Sequence, residues 1–200
     1  MKPGFGEGQP TRWQGQESKA ELRARLQAAR AMRPADPAAT AVRTERALAL
    51  SGEAEVVAAY VARSGEPDTA ALIEHLHQSG VRVLLPVLTR SPDWAWYTGP
   101  DALRPGPFGI PQPTSRPLGP AALDRAEWIW LPGLAGTPRG ERLGTGGGWY
   151  DRALSTAGRG ARRGLLLFDD EVLPDIPVDP WDQPVEFLVT EARQTVCRPE

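Results

Sequence analysis

Residues 54–88 read AEVVAAYVARSGEPDTAALIEHLHQSGVRVLLPVL, and they give the clearest indication of fold in the chain. Ala54 to Val61 form a short β-compatible run, which predicts a buried strand. Ala70 to Gln78 follow with a helical pattern, and Gly80 is well suited to end that helix. Val81 to Leu88 form a second apolar run. Strand, helix and strand in this order predict a parallel, right-handed βαβ unit.

Two helices are predicted on the N-terminal side of this unit. Glu17 to Met32 are rich in Ala, Leu, Arg and Gln, and Leu22 and Leu26 lie four residues apart on one apolar stripe. Asp36 followed by Pro37 is a favourable N-cap and first-turn pair for a second helix that continues to Leu50.

Further strands are predicted on the C-terminal side of the unit. They comprise Trp94 to Tyr97, Glu127 to Leu131, Arg163 to Phe168 and Val185 to Val189, whereas the proline-rich segment from Arg104 to Pro120 is expected to be irregular. Strands that alternate with helices favour an α/β fold, a three-layer sandwich with a mainly parallel central sheet and helices on both faces. Ligands of such sheets bind beyond the carboxyl ends of the strands.

Composition narrows the possible classes of protein. The 23 Lys and Arg against 25 Asp and Glu give a net charge of −2, so we expect no nucleic-acid partner. No apolar run approaches the ~20 residues that span a bilayer, so we expect a cytoplasmic protein. We also expect it to be a monomer. We expect a flexible tail at residues 1–16 and a single α/β domain at residues 17–200. The single cysteine, Cys197, is expected to be a surface thiol.

The loop from Arg142 to Asp151 reads RLGTGGGWYD and immediately precedes a predicted helix, Trp149 to Leu154. Glycines at 144 and 146–148 allow backbone N–H groups to face one point, which is the construction of a phosphate site, and Arg142 can add a charged contact. The loop matches neither the Walker A nor the dinucleotide fingerprint. A flexible linker that binds nothing remains the alternative, although a linker has no need of two aromatic residues and an acid at its end.

The motifs around this loop resemble the signature of the 5-formyltetrahydrofolate cyclo-ligase family, over roughly Ser18 to Thr190. The matching segments are Pro132-Gly-Leu134, Arg139-Gly140, Arg142 to Arg152, Lys19-Ala-Glu-Leu-Arg23, Glu66-Pro-Asp-Thr69, Pro86, Gly109-Ile-Pro-Gln-Pro113 and Asp182. The resemblance implies Mg²⁺- and ATP-dependent conversion of 5-formyltetrahydrofolate into 5,10-methenyltetrahydrofolate, ADP and phosphate. In that reaction the formyl oxygen attacks the γ-phosphate, and N10 then closes the ring.

The resemblance also implies roles for individual residues. Arg142, Lys19 and Glu66 would be catalytic. The ATP-binding residues would be Lys19, Ala20, Glu21, Leu22, Arg23, Arg142, Leu143, Gly144, Thr145, Gly146, Gly147, Gly148, Trp149 and Tyr150. The folate-binding residues would be Val61, Glu66, Thr145, Gly146, Gly147, Gly148 and Trp149. Magnesium would be bound by Asp151 and Asp182, although Asp175 or Asp179 could replace Asp182.

Simpler explanations exist for several of these residues. Lys19 and Arg23 lie four residues apart and could form a solvated charged face of the helix. The sole role of Glu66 could be to stabilise the start of the next helix by its charge. Trp149 occupies a position where the family commonly has tyrosine, so folate selectivity could differ. Two other functions remain open: a non-catalytic binder of folate or nucleotide, and an enzyme acting on sugar phosphates or thioesters. Arg142→Ala is expected to abolish most turnover and leave the melting temperature nearly unchanged.

Overall fold

A computed structural model describes residues 17–198, and the predicted flexible tail at residues 1–16 lies outside the described residues. The helices are α1 (Lys19–Ala31), α2 (Pro37–Ser51), α3 (Ala70–Gln78) and α4 (Trp149–Leu154). The strands are β1 (Val56–Ala58), β2 (Arg82–Leu88), β3 (Pro92–Trp96), β4 (Leu103–Arg104), β5 (Gln112–Pro113), β6 (Trp128–Leu131), β7 (Ala135–Gly136), β8 (Arg142–Leu143), β9 (Arg162–Leu166), β10 (Phe187–Val189) and β11 (Gln194–Val196). Four short 3-10 helices occur in the connections.

Seven strands form the central sheet in the order β11-β10-β9-β6-β1-β2-β3. Strands β10, β9, β6, β1 and β2 are parallel, and only the two edge strands, β11 and β3, pair antiparallel with their neighbours. The predicted βαβ unit is confirmed, because β1 pairs in parallel with β2 and α3 connects them. The carboxyl ends of the five parallel strands therefore meet at one edge of the sheet.

Side chains of the buried strands alternate between two apolar clusters. Val57, Val83 and Trp128 pack in the cluster that contains side chains of α2 and α3. Their neighbours Leu84 and Ile129 belong to the other cluster, with side chains of α4 and of the 3-10 helix Pro120–Arg125. The α/β fold and the mainly parallel sheet are confirmed. The three-layer description stays a prediction, because the second face carries only short helical segments.

The predicted helices agree with the structure to within two residues, and Asp36 caps α2 by accepting a hydrogen bond from the N–H of Ala39 at 2.9 Å. Most strands are shorter than predicted, since β1 contains only Val56–Ala58 and β10 begins at Phe187, whereas β3 begins at Pro92, two residues earlier than predicted. The predicted surface position of Cys197 is wrong. Its side chain is buried in the second cluster, and burial raises the pKa of the thiol to about 11.

Candidate active site

A cavity of about 760 Å³ opens where the loops after β6, β1 and β2 come together. Its wall is completed by the start of α1, by the proline-rich loop before β5 and by the segment before β10. The cavity is lined by Lys19, Arg23, Tyr60, Val61, Arg63, Glu66, Pro86, Leu88, Thr89, Arg90, Pro107, Phe108, Ile110, Pro132, Arg142, Gly144, Thr145, Gly146, Gly147, Gly148, Trp149, Tyr150, Asp151, Asp179, Trp181 and Asp182. The position at the carboxyl edge of a parallel sheet is the expected one.

The glycine loop forms one wall of this cavity between β8 and α4. Gly146 and Gly148 have φ values of +102° and +61°, a region that side chains with a Cβ rarely adopt. The backbone N–H groups of residues 145–148 donate no hydrogen bond to any residue in the described part of the chain. The loop thus presents unpaired donors next to the cavity, as an anion site requires.

Helix α1 supplies two cations that face this loop. A capping box formed by Ser18 and Glu21 sets the start of the helix, so Lys19 and Arg23 follow in its first turns. The Nε of Arg23 donates to the carbonyl oxygen of Gly144 at 2.9 Å. The Nζ of Lys19 lies 2.6 Å from carboxylate oxygens of both Asp179 and Asp182. Neither side chain is merely part of a solvated charged face, because both contact residues more than 100 positions away in the sequence.

Arg142 is almost completely buried at the base of the same wall. Its Nη2 donates to Oδ1 of Asp151 at 2.5 Å, and Nη1 makes a long contact to the carbonyl of Pro132 at 3.4 Å. The side chain of Arg142 is 4% exposed and its Nε has no partner among the described residues. Arg142 therefore has a structural ion pair as well as a place in the cavity wall.

The two magnesium candidates, Asp151 and Asp182, lie close together. The N–H of Gln183, the next residue after Asp182, points to Oδ1 of Asp151 at 3.4 Å. Oδ2 of Asp151 and Oδ1 of Asp182 accept no hydrogen bond within residues 17–198, so each carboxylate keeps one unpaired oxygen. No group of three or more His, Cys, Asp and Glu in the described residues is arranged to hold a metal ion.

Magnesium usually takes one or two carboxylates together with phosphates and waters, so this pair fits the ion without a third acid. Of the alternatives to Asp182, Asp179 also lines the cavity and shares the ammonium of Lys19. Asp175 instead pairs with Arg139 at 2.7 Å and does not line the cavity.

Glu66 lies in the loop after β1, where its side chain is 8% exposed. It accepts hydrogen bonds from the backbone N–H of Arg63 at 2.9 Å and from the guanidinium of the same residue at 2.9 and 3.2 Å. Burial, and then the negative charge of Glu66, raise the pKa of both Tyr60 and Tyr150, so both phenols stay neutral. Glu66 also lines the cavity, as Val61 does, so it has a place in the wall of the site as well as one near the start of α3.

Trp149 forms part of an aromatic wall with Trp94 and Tyr150. The ring centroids lie 5.5 Å from Trp94 and 4.9 Å from Tyr150, and the indole N–H of Trp149 is buried without a partner in the described part of the chain. Trp94, Trp128 and Trp130 are core residues. Trp149 therefore links the apolar core to the cavity.

Four residues of the predicted nucleotide site do not line the cavity. Leu22 and Leu143 are fully buried in a third apolar cluster, so their side chains belong to the core and not to the site. Glu21 closes the capping box by accepting from the backbone N–H of Ser18 at 2.7 Å, and Ala20 is exposed on the helix. The motif therefore positions Lys19 and Arg23, whereas the residues between them stabilise α1.

The structure also brings residues to the cavity that the motifs did not assign. Arg63, Arg90, Phe108 and Trp181 all line it. Arg63 and Arg90 follow parallel strands β1 and β2, so the rule that ligands bind at carboxyl ends could have identified them. Phe108 and Trp181 are 86% and 67% exposed, and no local pattern marks them.

Comparison with known proteins gives a consistent result. Residues 15–191 match the model of the 5-formyltetrahydrofolate cyclo-ligase family. A 5-formyltetrahydrofolate cyclo-ligase of Mycolicibacterium smegmatis is 34% identical over 194 residues, covering 90% of this chain and 97% of the relative. The Escherichia coli K12 protein of the same name is 31% identical over 145 residues, covering 70% and 80%.

A solved structure of similar fold is the 5,10-methenyltetrahydrofolate synthetase of Aquifex aeolicus, with a TM-score of 0.79 and 26% identity. The match covers 91% of this chain and 94% of that chain. Within residues 17–198, no helix has both the length and the apolar character needed to cross a membrane.

Proposed function

The chain belongs to the 5-formyltetrahydrofolate cyclo-ligase family and is an enzyme of that kind, and we propose that it uses Mg²⁺ and ATP. The substrates would be 5-formyltetrahydrofolate and ATP, and the products 5,10-methenyltetrahydrofolate, ADP and phosphate. The observation that carries the proposal is the glycine loop, whose unpaired N–H groups at residues 145–148 lie beside Lys19 and Arg23. Donors and cations of this kind suit the phosphates of a nucleotide.

The cations of the cavity would position the triphosphate and neutralise charge that develops during transfer. Phosphoryl transfer depends on in-line placement and electrostatic stabilisation more than on a covalent nucleophile, and no cysteine or histidine is among the described residues that line the cavity. Lys19 and Arg142 are both held by carboxylates, at 2.6 Å and 2.5 Å. Phosphate oxygens would compete with those carboxylates for the two cations.

Asp151 and Asp182 would hold the magnesium ion, each through the oxygen that has no protein partner. Bound Mg²⁺ supplies positive charge that neutralises phosphate oxygens. Because Asp151 pairs with Arg142 and Asp182 pairs with Lys19, the same residues couple the metal site to the phosphate cations.

Glu66 and the aromatic wall would hold the folate. The carboxylate of Glu66 can accept N–H donors of the pterin ring, and Val61 and Trp149 offer apolar surface beside it. In the reaction the formyl oxygen forms a bond to the γ-phosphorus and ADP leaves. N10 then bonds to the formyl carbon, the original formyl C–O bond breaks, the oxygen leaves as part of the phosphate, and N10 loses its proton.

Purified protein with Mg²⁺-ATP and 5-formyltetrahydrofolate tests this function. We expect the absorbance of the methenyl product to grow together with release of ADP. A flat trace from folded protein would contradict the proposal. Tight folate binding without ADP release would select the non-catalytic binder. Protection against thermal unfolding by a sugar phosphate but not by ATP would select the third function.

We also propose that the protein is a cytoplasmic monomer, and the net charge of −2 argues against a nucleic-acid partner. Sedimentation of the purified protein would test the monomer directly.

A further inference from the structure

Arg90 lies in the turn between β2 and β3 and lines the cavity. It forms no hydrogen bond or ion pair with any residue in the described part of the chain. We propose that Arg90 binds the glutamate carboxylates of the folate tail and so determines specificity for the tail. The inference rests on the proposed function, because it assigns one part of that substrate to one residue.

The other cations of the cavity are already engaged by the protein. Lys19 is held by two carboxylates, Arg63 by Glu66 and Arg142 by Asp151. Arg23 donates its Nε to the glycine loop, where it faces the phosphate site. Among the described residues, Arg90 is therefore the cation of this cavity that has neither a carboxylate partner nor a contact with the glycine loop, so an incoming carboxylate can pair with it without breaking an existing contact.

The order of the strands separates Arg90 from the phosphate site. Strands β6, β1 and β2 are consecutive neighbours, and their carboxyl ends lie at the same edge. The excursion that contains β7, β8 and the glycine loop follows β6, whereas Glu66 follows β1 and Arg90 follows β2. Adjacent strands lie about 4.8 Å apart, so the edge offers successive positions for phosphates, reacting ring and a further charged group.

The chemistry of the substrate matches this order. The pterin and aminobenzoyl groups of 5-formyltetrahydrofolate are uncharged, and its negative charge is confined to the carboxylates of the glutamate tail. The cavity that Arg90 lines also contains Leu88, two residues before it, and Phe108 and Ile110 of the proline-rich loop, and these apolar side chains suit an aromatic ring. Apolar side chains with a guanidinium in the same cavity suit an aminobenzoylglutamate group. Its aromatic ring would pack against the apolar side chains, and its carboxylates would pair with the guanidinium of Arg90.

Substitution of Arg90 by alanine tests the inference by kinetics. An exposed charge-assisted contact corresponds to a change of about three- to tenfold, so R90A should raise KM for 5-formyltetrahydrofolate by about that factor. The kcat and the KM for ATP should stay unchanged, because Arg90 touches neither phosphates nor reacting atoms. R90K keeps the charge and should recover part of the affinity.

A substrate without the tail separates tail binding from a structural effect. With the N-methyl amide of 5-formyltetrahydropteroic acid, which lacks the glutamate and carries no carboxylate, wild type and R90A should have equal KM values. The matched control is R116A, which removes an exposed arginine of the proline-rich segment outside the cavity and should change neither substrate. Equal changes in KM for both substrates, or no change for either, would overturn the inference.

Calorimetry with p-aminobenzoylglutamate gives a measurement that does not need turnover. The wild type should bind this fragment more tightly than p-aminobenzamide, which carries no carboxylate, and R90A should lose the difference. Retention of the difference in R90A would overturn the inference even if the enzyme is active. Loss of the difference in a protein without turnover would instead contradict the proposed reaction and leave the tail site supported.

Discussion

At the residue scale, Arg142 shows how one side chain serves both structure and chemistry. Its expected role was limited to the phosphates, with little effect on stability. The structure places it in a nearly buried ion pair with Asp151, which itself is 21% exposed. Removal of one partner from such a pair leaves the other charge without compensation, and this penalty differs from any loss of catalysis.

We therefore expect Arg142→Ala to lower the free energy of unfolding by about 1–3 kcal/mol as well as to reduce turnover strongly. The double variant with Asp151→Asn removes the unpaired charge and should recover part of the stability but no activity. Urea denaturation and the folate assay measure the two effects separately. If Arg142→Ala retains the melting temperature of the wild type, the ion pair has no structural value.

Trp149 is the residue at which the chain departs from the aromatic pair common in the family. Trp149→Tyr keeps an aromatic ring between Trp94 and the cavity, and we expect it to retain activity. Trp149→Ala removes that wall and should cost about 1–3 kcal/mol of stability, less than for a fully buried tryptophan. It should also raise KM for the folate at least tenfold, measured beside KM for ATP. An unchanged folate KM in Trp149→Ala would exclude Trp149 from the folate site.

At the scale of elements, the glycines of the region from β7 to α4 fall into two classes. Gly140 has a φ of +95°, and a Cβ at this position would lie 2.3 Å from the carbonyl oxygen of Val185. A Cβ on Gly147 would meet nothing within 4 Å. Gly140 thus allows its turn to approach the segment before β10 closely. Gly147 instead leaves the glycine loop open to a ligand.

Gly140→Ala and Gly147→Ala form a matched pair that tests this division. Gly140→Ala should lower the free energy of unfolding by about 3 kcal/mol, because backbone strain and a clash with the backbone add. Gly147→Ala should change stability by less than about 0.5 kcal/mol and weaken ATP binding. Thermal unfolding with and without ATP distinguishes the two. Equal loss of stability in both variants would show that the glycine loop is structural.

At the scale of the whole molecule, buried tyrosines determine how stability responds to alkaline pH. Burial, and then the hydrogen bond with Glu74, raise the pKa of Tyr97 to about 12, and burial, and then the charge of Glu66, raise the pKa of Tyr60 well above its ordinary value. In the unfolded chain a tyrosine has a pKa of about 10. Because the folded pKa is the higher one, the stabilisation is complete below pH 10 and is lost as pH rises above it.

Tyr60→Phe should therefore make the free energy of unfolding fall less steeply as the pH rises above 10. Wild type should lose up to about 1.4 kcal/mol per pH unit for each such tyrosine above pH 10, and the variant should lose less. At pH 7 the variant should be less stable by about 1 kcal/mol, because the hydroxyl of Tyr60 donates to the carbonyl of Pro67 at 2.8 Å. Urea midpoints from pH 7 to 11 measure both effects. Parallel profiles for the two proteins would contradict the assignment.

The sequence by itself determined the features that depend on neighbouring residues. Periodicity and end signals located all four helices, including the Asp36 cap, and the βαβ order implied a parallel sheet. The same local information identified the glycine loop, since consecutive glycines remove Cβ atoms wherever the chain folds. The resemblance added Lys19, Arg23, Glu66 and Asp182, and all of them line the cavity.

Only the tertiary structure decided which charges meet. Lys19 pairs with carboxylates 160 and 163 positions away, and the partner of Arg142 lies across the loop in α4. The packing of the helices and strands also buries Leu22 and Leu143 in the core, and it leaves Arg90 at the cavity without an ion pair among the described residues. The physical reason is that hydrogen bonds within helices and turns join near neighbours in the chain. Ion pairs and burial depend on how sheet and helices pack, which no local pattern contains.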